Sequence, residues 1–459
     1  MSKAKTESDV LLDSVKKVHM IGIGGAGMFP IAQILHGQGY LLTGSDNNES
    51  DTLQRARNLG IPVTLGHFAE NVEGAELVIY SAAIMKSNPE LVSAAEKGIP
   101  VMERSLALGA ITRKYDNVIG VCGTHGKTTV TSMITQVLVQ ADLDPTAVIG
   151  GRLPLIDGYG RAGKSQRMVC EACEFVDTFL QLSPDIAVLL NIDNDHMDYF
   201  KTVDNLILSF TKFSAMAKTV IVNGDDEKAM KAVEGLSQTI ITFGHSDNNN
   251  YYTANIVEET KTAGEFDLMK QGEVVTHIVL SVPGKHNMLN AVAAAVASFE
   301  AGAKREQIER SLFEFTGAGR RFEILGVKNG ITIADDYAHH PTELEVTLDA
   351  ALKMGYNRVI AVFQPFPFSR TSALLDEFAK ALSLPHQTVL SEIMGSREVN
   401  TYGITTTDLC NKIEGAVWFD TFEKIADYIV QNAKVGDLVI TLGCGDIYKA
   451  AKLMVKKLS

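Results

Sequence analysis

The stretch "VIGVCGTHGKTTVTSM" (118–133) passes from apolar strand residues through glycines and a lysine into a predicted helix. Gly123 and Gly126 would let backbone N–H groups approach a phosphate at the helix N-terminus, where the helix dipole favours negative charge. Lys127 stands where such a loop places its lysine on the β and γ oxygens, and Thr128 where a hydroxyl ligates Mg2+. The loop is shorter than the usual G-x-x-x-x-G-K-[ST] pattern, so a glycine turn with an exposed lysine remains the alternative. The stretch predicts an α/β unit that binds a nucleoside triphosphate.

A second glycine loop lies well before the first, in "VHMIGIGGAGM" (18–28). Gly22, Gly24 and Gly27 match the G-x-G-x-x-G fingerprint of dinucleotide-binding domains, and Asp46 closes the next strand, where such domains bind ribose. Any pyrophosphate can use the same loop and helix end. The loop therefore leaves two alternatives open, an NAD-dependent enzyme and a protein that binds a nucleotide-diphosphate sugar.

Length and composition describe a folded protein with more than one domain. The 459 residues, 46% of them hydrophobic and 21% charged, are enough for two or three cores. A net charge of -13 disfavours binding to nucleic acid or to an anionic membrane surface. No stretch approaches the roughly 18 apolar residues that a membrane helix needs. With five unevenly spread cysteines, these properties predict a cytoplasmic protein with reduced thiols and no membrane insertion.

Strand and helix patterns alternate along the chain, which is typical of an α/β fold with doubly wound parallel sheets. In the first third, "SNPELVSAAEKG" predicts a helix with Asn88 as N-cap, Pro89 at its first position and Gly98 just past its end. The pattern starts afresh after "TRKYDN" (112–117) and again near "FTGAGRRFE" (315–323). We therefore predict three α/β domains. They are an N-terminal Rossmann-like domain (1–114), a central P-loop ATPase-like domain with a parallel sheet (115–318) and a C-terminal Rossmann-like domain (319–459).

Acidic and imidazole side chains follow two predicted strands of the central domain. Glu171 comes after the apolar "RMVC", and "NIDNDHMD" places His196 beside Asp195 and Asp198, just past "IAVLLNI". Ligands of α/β sheets bind at this carboxyl edge, so a carboxylate, an imidazole and a hydroxyl could surround Mg2+ beside a triphosphate. The alternative is that these acids only solvate or cap their loops.

Further polar candidates stand towards the C-terminus. The stretch "PGKHNMLNA" places Asn287 and Asn290 at a helix start, where an asparagine could bind an adenine edge or cap the helix. Arg321 lies in "GAGRRFE", and Asp336 and His339 lie in "DDYAHHPTE". The two adjacent histidines could suggest a metal site, but they would point apart on a strand, and the proline after them predicts a turn. Zinc is therefore disfavoured here.

Seven motifs occur together and in order over nearly the whole chain: "GIGGAGM", "GTHGKTT", "NIDNDHMDYF", "PGKHNMLNA", "GAGRRFE", "DDYAHHPTE" and "FQPFPFSRT". In this combination the sequence resembles the Mur ligase family, and within it the ligases that act on UDP-N-acetylmuramate and L-alanine. The resemblance implies that ATP phosphorylates the lactyl carboxylate of the sugar nucleotide, and that the alanine amine attacks the resulting acyl phosphate. It also implies a reason for two glycine loops, because the first would bind the UDP diphosphate and the second would bind ATP.

The resemblance also implies roles for individual residues. The residues expected to be catalytic are Lys127, His196 and Arg321. Those expected to bind ATP are Gly123, Thr124, His125, Gly126, Lys127, Thr128, Thr129, Asn287, Asn290 and Asp336. Those expected to bind the UDP-sugar are Gly22, Gly24, Gly25, Gly27 and Asp46. Magnesium is expected on Thr128, Glu171 and His196, and the alanine carboxylate on His339 and Arg370, since an arginine fork can bind a carboxylate bidentately.

Two motifs depart from the family pattern. Cys173 stands where the family usually has an acidic residue, two positions after the metal-binding glutamate, and this substitution accounts for the C-x-x-C formed with Cys170. The stretch "FQPFPFSRT" lacks the usual His-Arg and leaves Arg370 as its arginine. Two alternatives remain, a related ligase that attaches a recovered tripeptide to UDP-N-acetylmuramate and a non-catalytic nucleotide-binding homologue. A monomer or a homodimer is expected.

Overall fold

The computed structural model of the protein describes residues 5–258, 264–282, 284–395 and 398–458. In this part of the chain, strands alternate with helices and form three separate sheets, which confirms the predicted α/β class. None of the described helices combines the length and the apolar character needed to cross a bilayer. Contacts group the chain into two compact units, which are Met1–Ile256 with Phe266–Val279 and Leu289–Phe315, and Val257–Glu265 with Leu280–Met288 and Thr316–Ser459.

The first sheet lies near the N-terminus. Its strands are Lys17–Ile21 (β1), Leu41–Asp46 (β2), Val63–Leu65 (β3), Leu77–Tyr80 (β4) and Val101–Glu103 (β5). Its helices are Glu7–Ser14 (α1), Phe29–Gly37 (α2), Asp51–Asn58 (α3), Pro89–Glu96 (α4) and Arg104–Thr112 (α5), with a 3-10 helix at Ala69–Val72. The strands are parallel in the order β3-β2-β1-β4-β5. The predicted ends of α4 are confirmed, because the Asn88 side chain accepts a hydrogen bond from the Glu90 N–H and Gly98 follows with φ +67°.

The second sheet carries the phosphate-binding loop. Its strands are Asn117–Cys122 (β6), Thr146–Leu153 (β7), Gly158–Arg161 (β8), Arg167–Glu171 (β9), Ile186–Leu189 (β10), Thr219–Asn223 (β11), Thr239–Gly244 (β12), Tyr251–Glu258 (β13), Gly264–Lys270 (β14) and Glu273–Val279 (β15). The helices are Lys127–Gln140 (α6), Met197–Phe200 (α7), Val203–Ala215 (α8), Glu227–Val233 (α9), Lys285–Glu300 (α10) and Arg305–Phe313 (α11), with 3-10 helices at Pro154–Ile156 and Phe175–Gln181. The strand order is β15-β14-β13-β12-β11-β10-β6-β9-β7-β8. Strand β6 pairs in parallel with β10 and β9, so the carboxyl ends of all three meet around the loop that follows β6.

The third sheet belongs to the second compact unit. Its strands are Glu323–Lys328 (β16), Ile331–Asp336 (β17), Arg358–Phe363 (β18), Gln387–Ser391 (β19), Val417–Phe419 (β20) and Asp437–Leu442 (β21), in the order β16-β17-β21-β18-β19-β20. The helices are Pro341–Lys353 (α12), Phe368–Ala373 (α13), Leu375–Leu382 (α14), Thr406–Cys410 (α15), Phe422–Asn432 (α16) and Tyr448–Lys457 (α17). Strand β16 is antiparallel to β17, and β17, β21, β18, β19 and β20 run parallel. The turn predicted at Pro341 is the start of α12, where His340 is the N-cap.

The first two sheets share one hydrophobic core. Leu35 and Ile111, from helices of the N-terminal region, belong to the same buried cluster as Phe179 of the central region. The backbones of the N-terminal and central regions also approach closely. A Cβ atom built on Gly109 of α5 would lie 2.2 Å from the carbonyl oxygen of Gln181. Both sheets lie in the first compact unit, and the predicted boundary between the first two domains falls inside it. The three domain ranges remain a prediction.

A buried polar network surrounds Glu90 at the start of α4. Its Oε2 accepts a hydrogen bond from Ser45 Oγ at 2.8 Å and lies 3.0 Å from His67 Nδ1. Its Oε1 accepts a hydrogen bond from Asn71 Nδ2 and lies 3.5 Å from His19 Nε2. Burial alone would raise the pKa of the Glu90 carboxyl, but its interactions with His19, Asn71 and Ser45 outweigh this effect and lower the pKa. The network therefore stabilises the ionised carboxylate inside the protein.

Glu90→Ala is expected to lower the free energy of unfolding of the first compact unit by about 3–5 kcal/mol near neutral pH, because buried polar groups lose their charged partner. The folded pKa lies below the ordinary value of 4.5. The carboxylate therefore contributes fully above that pH, and its contribution is lost as the pH falls through the folded pKa. Urea unfolding followed by circular dichroism at several pH values measures this. A loss that does not depend on pH, or that is matched by Glu96→Ala at an exposed position of α4, would contradict the prediction.

Candidate active site

The phosphate-binding loop joins β6 to α6 as the sequence predicts. Gly123 and Gly126 have φ values of +133° and +87°, a region that glycine enters at little cost. Space is limited as well, because a Cβ atom on Gly126 would lie 2.7 Å from Asn290 Oδ1. The amide of Asn290 thus lies against the loop, within the same compact unit. Both glycines are required by the backbone path, and the loop presents the N-terminus of α6.

The segment after β10 holds this loop in place. His125 donates its backbone N–H to Asn191 Oδ1 at 2.8 Å, and Asn191 Nδ2 donates to the His125 carbonyl at 3.1 Å. The Thr124 hydroxyl accepts the Asp193 N–H at 2.9 Å, and His125 Nε2 lies 3.2 Å from Asp193 Oδ2. Sequence reasoning missed both Asn191 and Asp193. Their position just past an apolar strand of the same sheet is the sequence feature that could have indicated them.

Lys127 is largely buried, which disfavours the alternative of a glycine turn with an exposed lysine. Its side chain is 13% exposed, and its Nζ donates to the carbonyls of Gly123 at 2.6 Å and Thr124 at 3.0 Å. Nζ also lies 3.2 Å and 3.0 Å from the two carboxylate oxygens of Glu174, whose side chain is 2% exposed. Burial would lower the pKa of Lys127, but the negative charge of Glu174 raises it well above its ordinary value. The lysine is therefore a buried cation at the start of α6.

Two of the predicted magnesium ligands are in direct contact. Glu171 ends β9, and its Oε2 accepts hydrogen bonds from Thr128 Oγ1 at 2.8 Å and from the Gly150 N–H at 2.9 Å. Magnesium prefers oxygen ligands, and a threonine hydroxyl beside a carboxylate at a phosphate-binding loop is such a donor set. The half-buried Thr129 follows in the first turn of α6. The residues present at this helix end therefore fit Mg2+.

His196 is positioned by a loop with unusual backbone geometry. It precedes α7 with φ +55°, its Nε2 lies 3.6 Å from Asp195 Oδ2, and its ring centroid lies 4.7 Å from that of Phe175. The aromatic partner lies in a 3-10 helix in which Val176 and Asp177 also have positive φ values. His196 thus contacts Phe175 and Asp195, which are not the partners of Thr128 and Glu171. Its role as a magnesium ligand remains a prediction.

The glycine loop of the first sheet is held by Asp46. Gly22 has φ +76°, and the Gly24 N–H donates to Asp46 Oδ2 at 3.0 Å. The other oxygen of Asp46 accepts the Asn48 N–H at 3.2 Å, so this carboxylate holds backbone. The Gly25 N–H donates to the Gly22 carbonyl at 3.0 Å, which turns the chain into α2. The predicted contacts of this loop with a UDP-sugar remain a prediction.

Arg104 adds a positive charge to this loop, and sequence reasoning missed it. A Cβ atom built on Gly27 would lie 3.2 Å from Arg104 Nη1 and 3.4 Å from its Cζ. Arg104 is the first residue of α5, and β5, which precedes it, lies two strands away from β1 in the sheet. No local pattern in the sequence reveals that this helix begins beside the glycine loop.

In the second compact unit, Glu343 lies between two predicted site residues. His339 Nδ1 is 3.2 Å from Glu343 Oε2, and Arg321 Nη1 is 4.0 Å from Glu343 Oε1. The guanidinium of Arg321 also lies over the Tyr337 ring, 5.4 Å from its centroid. Glu343 was not among the predicted site residues, although it is the glutamate of "HHPTE" (339–343).

Asp336 and Arg370 complete the predicted residues of this unit. Asp336 is buried, its two oxygens accept the N–H groups of Phe322 at 2.8 Å and Ala338 at 2.7 Å, and burial raises its pKa to about 6. Arg370 lies in α13, and its Nη1 is 3.4 Å from the carbonyl oxygen of Phe366. Another predicted residue of the unit, Asn287, lies in the first turn of α10. The proposed contacts of these three side chains with substrates remain predictions.

All five cysteines are free thiols. Cys173 lies close enough to the Lys127–Glu174 pair to interact electrostatically with both, and burial together with the charge of Glu174 raises its pKa to about 11. A protonated, neutral thiol therefore stands at the position where a carboxylate was expected from the family pattern.

Family models match three consecutive parts of the chain. They are described as "Mur ligase family, catalytic domain" (17–116), "Mur ligase middle domain" (121–298) and "Mur ligase, glutamate ligase domain" (320–445). A phosphate-binding loop with its lysine and acidic partners on one largely parallel sheet, and a second glycine loop on another, define a nucleotide-binding α/β protein. The chain belongs to the Mur ligase family.

Several proteins are similar to this chain over almost their whole length. The chain is 39% identical over 456 residues to a UDP-N-acetylmuramate--L-alanine ligase of Caldanaerobacter subterraneus subsp. tengcongensis, covering 98% of this chain and 99% of that protein. A protein of the same name from Agathobacter rectalis is 42% identical over 448 residues, covering 96% and 98%. The crystal structure of the UDP-N-acetylmuramate-alanine ligase from Thermotoga maritima superposes with a TM-score of 0.83 at 27% identity, covering 96% and 98%.

Proposed function

We propose that this chain joins L-alanine to the lactyl carboxylate of UDP-N-acetylmuramate in peptidoglycan precursor synthesis, with conversion of ATP to ADP and phosphate. Relatives about 40% identical over nearly the full length bear the name of this activity. The structural observation that carries the proposal is the group of side chains at the start of α6, where Lys127 lies beside the contacting pair Thr128 and Glu171. As an ATP-dependent ligase of this kind, the protein needs ATP and Mg2+.

The reaction proceeds in two steps. A lactyl carboxylate oxygen attacks the γ-phosphorus of ATP, the bond to ADP breaks, and an acyl phosphate forms. The alanine amine then attacks the acyl carbon, and phosphate leaves the tetrahedral intermediate. Several negative groups meet in the first step, so the buried cation Lys127 acts by charge neutralisation and alignment, together with Arg321.

Thr128 and Glu171 would hold one Mg2+ ion, and His196 would be a ligand of a second. When bound, the metal neutralises charge on the phosphate oxygens. The hydrogen bond from Gly150 N–H to Glu171 Oε2 fixes the carboxylate at the helix end, so that its other oxygen can bind an ion. This arrangement orients the Thr128 hydroxyl and the Glu171 carboxylate before substrates arrive.

The glycine loop of the first sheet, with Gly22, Gly24, Gly25 and Gly27, binds the UDP diphosphate at the start of α2, because residues without a Cβ let the phosphates approach the backbone closely. Asp46 keeps the loop in shape through Gly24, and Arg104 supplies the positive charge that a diphosphate requires. Arg104 is weaker evidence against an NAD enzyme than the phosphate-binding loop is. The second nucleotide loop, with Lys127 and the contacting residues Thr128 and Glu171, is the feature that an NAD enzyme does not need.

Arg104→Ala is expected to raise the KM for UDP-N-acetylmuramate about tenfold and to leave the KM for ATP nearly unchanged, because a charged hydrogen bond to a diphosphate is worth about 1.5–3 kcal/mol. Steady-state kinetics with each substrate varied in turn measures both constants. Arg57→Ala is the control, since that arginine pairs with Glu49 on the surface of α3. Equal effects on the two constants would remove Arg104 from the UDP-sugar site.

The remaining assignments follow the family pattern. Asn290, which lies against the phosphate-binding loop, and Asn287 bind the adenine, and Asp336 orients the ATP ribose. His339 and Arg370 bind the alanine carboxylate. The free cysteines support a reducing, cytoplasmic location, and either a monomer or a homodimer is compatible with the proposal.

Phosphate release from ATP tests the proposed function. Release should require both UDP-N-acetylmuramate and L-alanine, and the product should carry one alanine by mass. If the tripeptide replaces alanine as the productive substrate, the chain is the related recycling ligase. If no amine substrate supports release while nucleotides still bind, the chain is a non-catalytic homologue.

A further inference from the structure

The ion pair between Lys127 and Glu174 lies at the phosphate-binding loop, and Glu174 has no role in the two proposed reaction steps. An ammonium group has three donors. The groups around Lys127 Nζ are the carbonyl of Gly123 at 2.6 Å, the carbonyl of Thr124 at 3.0 Å and the Glu174 carboxylate at 3.0 Å and 3.2 Å. A phosphate oxygen that binds this lysine must therefore replace one of them.

The carboxylate is the partner that phosphate should replace. The two carbonyls belong to the loop that would wrap the phosphates, and their positions follow from the backbone path through Gly123 and Gly126. Glu174 is negatively charged, and its side chain is 2% exposed, so water cannot screen it from an arriving polyphosphate. Repulsion between the two anions then favours exchange of one for the other on the same cation.

The position of Glu174 is fixed by the turn that follows it. Val176 and Asp177 have φ values of +54° and +58°, and Asp177 Oδ2 accepts the hydroxyl of Tyr199 at 2.8 Å. Ser209 Oγ donates to the other oxygen of Asp177. A strained turn that is anchored from α7 and α8 presents the carboxylate from a defined direction.

We propose that Glu174 is a positioning residue that holds Lys127 within the phosphate-binding loop before a nucleotide binds, and that the phosphates of the nucleotide displace its carboxylate. Before a nucleotide binds, Glu174 keeps the loop and Lys127 in the geometry that binds phosphates. The affinity for the nucleotide is lower as a result, because the carboxylate must be displaced. The inference rests on the proposed function only in that the loop binds a nucleotide.

Glu174→Gln tests the displacement directly. The amide keeps the size of the side chain but removes its charge, so the ligand-free state loses an ion pair and the bound state loses a repulsion. Both changes favour binding, and the Kd for ADP with Mg2+, measured by isothermal titration calorimetry, is expected to fall about tenfold or more. The melting temperature without nucleotide is expected to fall, and the rise on adding ADP is expected to exceed that of the unmodified protein.

Two further variants separate displacement from a structural role. Glu174→Asp retains a carboxylate and is expected to keep the ADP affinity close to that of the unmodified protein. Glu227→Gln, at an exposed position in the first turn of α9, is the matched control for loss of one negative charge. An unchanged or higher Kd in Glu174→Gln, with circular dichroism showing a folded protein, would overturn the proposal. Tighter ADP binding without any substrate-dependent phosphate release would uphold it while rejecting the proposed ligase activity.

Discussion

Lys127→Met is expected to lower the rate of phosphate release by about a hundredfold or more, the loss found when one electrostatic stabiliser of a transition state is removed. Methionine fills the space of the lysine stem but cannot neutralise the charge that builds up on a transferring phosphoryl group. Release of phosphate at saturating UDP-N-acetylmuramate, L-alanine and ATP measures the loss.

The same change is expected to lower stability, since it leaves the buried Glu174 without the cation beside it. Removing one partner of a buried ion pair costs about 3–5 kcal/mol. The double variant Lys127→Met/Glu174→Gln removes both charges and is expected to regain most of that stability while remaining inactive. Near-normal turnover in the double variant would show that Lys127 has no catalytic role, and an inactive but stable double variant would exclude unfolding as the cause.

Glu171→Gln is expected to reduce kcat by about a hundredfold and to raise the Mg2+ concentration needed for half-maximal activity. The amide oxygen can still accept the hydrogen bonds of Thr128 and Gly150, so the helix end keeps its structure. The lost negative charge is the property that a hard cation requires of its ligand. Titration of activity with Mg2+ at fixed ATP measures the shift.

Binding without turnover provides a second readout for Glu171. Mg2+ should strengthen ADP binding to the unmodified protein far more than to Glu171→Gln, whereas ADP binding without metal should be similar in both. Glu227→Gln again serves as the control for net charge. If the Mg2+ dependence of Glu171→Gln equals that of the control, Thr128 and Glu171 form a structural hydrogen bond and the metal lies elsewhere.

Local patterns in the sequence predicted the features that depend on neighbours along the chain. The α/β class, the strand–loop–helix at Gly123 to Lys127 and the caps of α4 all follow from strand periodicity, glycine and cap residues. That Thr128 and Glu171 lie at the same edge of a sheet followed from a general rule, because the carboxyl ends of parallel strands meet at one edge. These predictions needed no knowledge of which strand pairs with which.

Features that depend on strand order were not predictable in this way. The burial of Lys127 requires Glu174 as its partner. Glu174 follows β9, and it lies beside Lys127 only because β9 pairs with β6 in the sheet. The placement of Arg104 beside Gly27 depends in the same way on where β5 joins the first sheet. An acidic residue near a strand end can be noticed in a sequence, but the cation that it pairs with is decided by packing.

The core shared by the first two sheets sets a limit on dividing this protein into fragments. A polypeptide ending near residue 114 would contain every strand of the first sheet, yet it would lack the β8 segment against which α2 packs, where a Cβ atom on Gly160 would lie 2.8 Å from Pro30 Cβ. Apolar side chains such as Leu35 and Ile111 would lose part of the cluster that buries them, and exposed apolar patches promote aggregation. Fragment expression or ligand screening directed at the glycine loop of the first sheet therefore requires the second sheet on the same chain. On heating, the first and second sheets should unfold together in one cooperative transition.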